Sequence, residues 1–195
     1  LEAGEVGGIF AFDPSRDRED RLFHNAEFRV GHLNFSSDRN LIACTTTHRT
    51  GVSNIAIMPI NGLRPKEVTE GDLIDWAPRW IPGKAKALVY QSAGIGRSQD
   101  GYIHERAPFT IEKLDFDRQE VVTIAQDPKS DLLAPQMSHD GLLYYIRRPY
   151  RVRRQFKKAE GNTPSASKNH LGTNINAAYC APFLPESGVI PTLAN

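Results

Sequence analysis

Cysteine is scarce. Cys44 and Cys180 are the only two in 195 residues, so this is not a disulfide scaffold. No window approaches eighteen consecutive apolar residues, which excludes a transmembrane helix from the expected elements. The opening "LEAGEVGGIFAFD" has neither the positive start nor the apolar core of a signal peptide. No segment holds a 3.6-residue hydrophobic period over three turns, so no long amphipathic helix is expected. Compact catalytic motifs are missing too. "GRSQD" (Gly96–Asp100) lacks the second glycine of a nucleophile elbow, which leaves Ser98 a loop serine. His104 beside Glu105 has no second histidine at helical spacing. "DPKSD" (Asp127–Asp131) lacks the ligand spacing of a calcium loop. The sequence thus points to no metal, no cofactor and no enzyme.

What is present is a succession of short β-rich runs. "EFRVGHLNFS", "LIACTTT", "VSNIAIMPI", "KALVYQSA", "FTIEKLDF" and "EVVTIA" read as strands, punctuated by turns such as "SSDRN" and Asn61-Gly62. "GGIFAFD" reads as a short strand, "PSRDREDR" (Pro14–Arg21) as a charged solvated loop, and Gly94–Ala107 as a long polar loop. Formal net charge is +1, but it is unevenly spread. Residues 147–195 hold eight Lys or Arg against two acids, leaving sixteen against twenty-one in residues 1–146. The body is mildly acidic and the tail basic.

Three corners align: "HLNFSSDRNLIACTT", "APRWIPGKAKALVYQS" and "APQMSHDGLLYYIRR". Each has a large residue before the turn (Phe35, Trp80, Met137), then a polar or glycine-containing corner, then an apolar strand. Phe35 and Trp80 are 45 residues apart, Trp80 and Met137 57, and the Gly94–Ala107 loop absorbs the excess. "IAIMPINGLRPKEVT" and "TIEKLDFDRQEVVTI" also align, with Ile60 and Phe116 before the turn and Val68 and Val122 after it. A period near 45 with four short strands per unit is a β-propeller signature. Each blade is a sheet that cannot bury both faces alone, and stacking supplies the core. Phe35, Trp80 and Met137 are expected to fill the layers between blades. Asp38 and Asp140 are expected to accept backbone N–H groups in their corners.

These units resemble the WD40-like PD40 repeats of the TolB propeller family, which read Pro-x-Trp/Phe-Ser-Pro-Asp-Gly before an apolar strand. The match is carried by Pro135, Met137, Ser138, Asp140 and Gly141, by Pro78, Trp80, Pro82 and Gly83, and by Phe35, Ser36 and Asp38. Met137 replaces an aromatic, and Gly83 sits where the acid usually does. The resemblance implies an all-β partial propeller of four-stranded antiparallel blades: about two full blades plus parts of two. Residues 1–148 are assigned to it and 149–195 to a basic linker and irregular terminus.

The resemblance also implies protein binding. The expected role is therefore a non-enzymatic scaffold with a protein partner. Candidate binding residues are Asp72, Asp75, Trp76, Arg79, Arg97, Tyr102, His104 and Arg106, because aromatics and arginines in long loops favour recognition. Two alternatives stay open. One is the propeller part of a larger serine peptidase or other hydrolase. The other is binding of nucleic acid or an anionic surface through Arg147, Arg148, Arg151, Arg153, Arg154, Lys157 and Lys158. An open blade face also invites self-association.

Overall fold

A computed structural model describes residues 7–84 and 86–151. Among them every regular element is a strand: β1 (Gly7–Asp13), β2 (Arg18–Asn25), β3 (Phe28–Phe35), β4 (Leu41–His48), β5 (Ser53–Pro59), β6 (Lys66–Glu67), β7 (Leu73–Trp80), β8 (Ala87–Arg97), β9 (Ile103–Arg106), β10 (Thr110–Asp115), β11 (Glu120–Ala125), β12 (Ser130–Met137) and β13 (Leu143–Pro149). No described helix is long and apolar enough to cross a membrane.

The first full blade is the antiparallel sheet β3-β4-β5-β6, and the second is β7-β8-β10-β11. One parallel bridge, Ser53 to Ile74, joins them. The β1–β2 hairpin is a half-blade before them, and β12–β13 a half-blade after them. The fold is thus an all-β partial propeller with two whole blades and two halves.

Three apolar layers lie between successive units. Ile9, Ile42 and Met58 fill the first. Ala43, Ile55, Trp80, Leu88, Tyr90 and Leu114 fill the second. Ile81, Val89, Ile111, Leu132 and Leu143 fill the third. Hydrogen bonds cross the same layers. The Asn34 side chain accepts from Trp80 N at 2.8 Å, and its carbonyl accepts from Trp80 Nε1 at 3.2 Å. Gln91 Oε1 accepts from Ala134 N at 2.7 Å.

The corner residues differ in what they cover. Trp80 is 7% exposed and Met137 packs on the third layer, but Phe35 is 52% exposed. Phe35 pairs in register with Ile42, so it faces the leading half-blade. Among the described residues that half-blade supplies only β1 and β2, and Phe35 stays half-exposed. In the corners, Asp38 accepts from Asn40 N at 3.1 Å, and Asp140 accepts from the Ser138 hydroxyl. Gly83 and Gly141 adopt positive φ.

Two expected loops are strands. Arg18, Glu19, Asp20 and Arg21 belong to β2, an outer strand whose side chains meet water, so charge there is no obstacle. Within Gly94–Ala107, β8 overruns its pairing with β10 and pairs instead with β9. The first strand of each unit also carries a bulge, at His32, Ala77 and Ala134, each with positive φ. Pro78 and Pro135, each just after its bulge residue, are fully buried, as the missing ladder donor of proline permits at a bulge.

Candidate functional site

The loops joining the second and third strands of the two full blades meet on one face. In the first blade, the β4–β5 turn is closed by Gly51 N donating to His48 O at 2.9 Å. Gly51 has φ +84°, and a Cβ there would stand 2.4 Å from Ile103 Cδ1, so glycine both permits the turn and admits the neighbouring hairpin. In the second blade, the β8–β9 hairpin is closed by Ser98 N donating to Tyr102 O at 2.9 Å.

Arg97 fastens this hairpin across the blades. Its Nε donates to both Asp72 oxygens at 2.9 Å and its Nη2 to Asp72 Oδ1 at 2.7 Å. Nη1 donates to Gly101 O at 2.9 Å and to Thr50 O at 3.3 Å. The Arg97 hydrogen bonds hold the Asp72 carboxyl below its ordinary range. Such a fork matched to a carboxylate costs less order per bond than a lysine would. Between the loops lies an open cleft of about 410 Å³ lined by Arg49, Thr50, Gly51, Arg97, Asp100, Gly101, Tyr102 and Ile103. Tyr102 is 75% exposed at its edge.

A second constellation ties the same hairpin to the trailing half-blade. Arg106 lies over Phe109, 4.2 Å from the ring centroid, and 5.4 Å from that of Tyr150. Its guanidinium donates to both oxygens of the buried Asp131, at 2.9 and 3.2 Å. Arg148 and the Phe109 N–H complete that carboxylate at 2.9 and 3.1 Å. Burial pushes the Asp131 carboxyl up, but these donors outweigh it and hold it below its ordinary value. Further in, Trp76 sits between His32 and Phe109, with ring centroids 6.0 and 5.6 Å away.

The eight expected binding residues therefore separate. Asp72, Arg97 and Tyr102 meet at the cleft. Trp76 and Arg106 belong to the aromatic and ion-pair array. Arg79 is half-buried on β7, and His104 is exposed on β9 without lining the cleft. Asp75 is wholly buried between the full blades, out of reach of a surface ligand. Of the basic residues, Arg147 pairs with Asp127 and Arg148 with Asp131, and Arg151 is exposed. Arg153, Arg154, Lys157 and Lys158 lie outside the described residues, as does Cys180. Arg49, Gly51, Ile103, Asp131 and Tyr150 had no motif to announce them. The one usable signal was Gly51 in "HRTG", a glycine in a turn between two strands.

No three or more His, Cys, Asp or Glu side chains among the described residues gather to hold a metal. Cys44 is buried, and burial then Glu67 push its thiol up to about 12, so it is no nucleophile.

The architecture recurs in known structures. TolB from Acinetobacter baumannii is 20% identical, with a TM-score of 0.54, over 73% of this chain and 32% of that one. The fold is TolB-like. Hydrazine synthase of Kuenenia stuttgartiensis is 13% identical, with a TM-score of 0.55, over 71% of this chain and 24% of that one. The chain thus spans a third or less of these TolB-like and related proteins. No protein-family model matches the sequence, and neither does any curated protein. At such identities the likeness extends to the fold, not to activity.

Proposed function

We propose that this TolB-like segment is a non-enzymatic recognition module that binds a protein partner in the cleft between the two full blades. The observation that carries this reading is the Arg97 clamp. By joining Asp72, Thr50 and Gly101, it fixes the hairpin before any partner arrives and leaves the Tyr102 ring presented to solvent. A preorganised loop loses little entropy on binding, and an exposed tyrosine beside arginines is the composition of an interface hot spot. The open cleft of about 410 Å³ has room for side chains of an extended partner segment.

The experiment is selection of a displayed random-peptide library on the chain, followed by titration of enriched peptides against Tyr102→Ala and Arg97→Ala. Loss of at least about tenfold in affinity for both variants, with unchanged folding, supports the cleft. Enriched peptides that bind Tyr102→Ala as well as they bind the parent chain would refute it.

A further inference from the structure

The charged residues that line the cleft are Arg49, Arg97 and Asp100. Arg97 is committed to Asp72, and that pair is neutral. The other two are not committed within the fold. Arg49 is exposed and meets no carboxylate among the described residues. Its one hydrogen bond runs from Nη2 to Ala26 O at 3.2 Å, which leaves most of a guanidinium's donors unused. Asp100 is exposed near the tip of the β8–β9 hairpin, and its carboxylate has neither a hydrogen bond nor an ion pair among the described residues. Nearby charges are paired off: His48 lies against Glu67, Arg64 against Glu27 and Arg106 against Asp131.

These two charges have opposite signs and belong to different blades. Arg49 lies in the β4–β5 turn of the first and Asp100 in the β8–β9 hairpin of the second, so they stand on opposite walls of one cleft without pairing with each other. Their spacing is set by the fold. Arg97 Nη1 donates to Thr50 O and to Gly101 O, the carbonyls of the residues that directly follow Arg49 and Asp100. One guanidinium thus ties the two turns together next to both charges. Each turn is closed by its own backbone bond as well, Gly51 N to His48 O and Ser98 N to Tyr102 O, both at 2.9 Å. Tyr102 and Ile103 add apolar surface to the same lining.

A cleft with a cation on one wall and an anion on the other, each lacking an internal counter-charge, is matched by a segment carrying the complementary pair. Resting on the reading of this cleft as a recognition site, we propose that its partner is an extended peptide segment bearing an acidic side chain for Arg49 and a basic one for Asp100, with an apolar side chain beside them against Tyr102. Side chains two or four residues apart share one face of an extended chain, so the acid and the base fall at that spacing. Exposed ion pairs contribute little affinity singly. Their placement sets which segment enters and in which register, because a like charge on either wall is penalised.

The probes are peptides enriched from a displayed random library on the full chain, resynthesised with both termini blocked and titrated by calorimetry. Arg49→Glu and Asp100→Lys change exposed turn residues, so circular dichroism should match the parent chain. Each reversal should weaken an enriched peptide at least about tenfold. Exchanging the peptide's acid for lysine should restore binding to Arg49→Glu and not to Asp100→Lys, and exchanging its base for glutamate should do the converse. Three results overturn the proposal, and they differ in what else they remove. Peptides that need Tyr102 but bind both reversals like the parent chain refute the charge pairing and leave the cleft as the recognition site. Peptides that bind only with a free terminal carboxylate refute the acidic side chain as the group Arg49 receives. Peptides indifferent to Tyr102→Ala refute this inference together with the cleft itself.

Discussion

Phe35 and Trp80 occupy the same position of consecutive blades, and their surroundings are opposite. Trp80 closes the layer between the two full blades, where Ala43, Ile55, Leu88 and Leu114 surround it and Asn34 receives both its N–H groups. Phe35 faces a layer whose other side, among the described residues, holds only the two outer strands β1 and β2. Burial in a repeat protein is therefore a property of the neighbour and not of the repeat. The two layers also treat their acids differently. In the layer before the first full blade, Glu67 accepts from Thr46 Oγ1 at 2.6 Å and from Asn54 Nδ2 at 3.0 Å, and lies 2.6 Å from His48 Nε2. In the layer between the full blades, Asp75 is wholly buried with the Ser92 and Thr69 hydroxyls beside it, and no donor aligns squarely on either carboxylate oxygen.

The largest test of this contrast is truncation at the shared position. Trp80→Ala should destabilise by about 3–5 kcal/mol in chemical denaturation, and Phe35→Ala in the dilute chain by less than about 1 kcal/mol. Equal costs would end the comparison.

Next in size is the third layer. Asp131→Ala strips Arg106 and Arg148 of their shared acceptor and leaves the Phe109 N–H unpaired, and should cost about 2–4 kcal/mol. Asp131→Asn, which can still accept from Phe109, should cost less.

The acids sharpen the contrast through pH. Burial pushes the Asp75 carboxyl above its ordinary 3.8, the Ser92 and Thr69 hydroxyls relieve only part of this, and Glu112 adds to it. Tyr90 lies in the same layer, and burial followed by Asp75 and Glu112 raises its phenol. Between pH 3.8 and the raised value the folded chain keeps a proton that the unfolded chain releases, so this group makes stability fall as pH rises through that window. Asp75→Asn should remove the fall and raise stability at neutral pH by about 1–2 kcal/mol. Glu67 behaves in reverse. Burial raises its carboxyl, but Thr46, Asn54 and His48 hold it below its ordinary 4.5, so its contribution is full above 4.5 and is lost as pH falls through the lowered value. Glu67→Gln should weaken the chain above that window and flatten the acid limb. Unfolding midpoints measured across pH for both variants distinguish the two.

The smallest effect on stability belongs to the cleft. Tyr102→Ala should change unfolding by less than about 0.5 kcal/mol, because the ring is exposed and the hairpin is held by backbone bonds and Arg97. A larger loss would make Tyr102 a structural residue and weaken the binding proposal.

Much of this was legible in the linear sequence. Alternation, turn residues and the spacing of Phe35, Trp80 and Met137 gave strand, blade and repeat, because period-two patterning and corner chemistry are local. The cleft was legible only in part. Asp72, Arg97 and Tyr102 were singled out from loop length and residue type, but Arg49 and Gly51 come from the neighbouring blade, and no local signal joins them. The bulges at His32, Ala77 and Ala134 were hidden because alanine and histidine do not announce positive φ, though "Ala-Pro" recurs at two of them.

The sequence by itself determined that this chain makes blades, since each strand's two faces are written in its own residues. Only the tertiary structure decided which faces are covered. Phe35 and Trp80 carry the same local code, and Asp75 and Asp131 are both aspartates on the inner strands of adjacent units. Their fates diverge because burial and pairing depend on the unit next door, which lies tens of residues away along the chain.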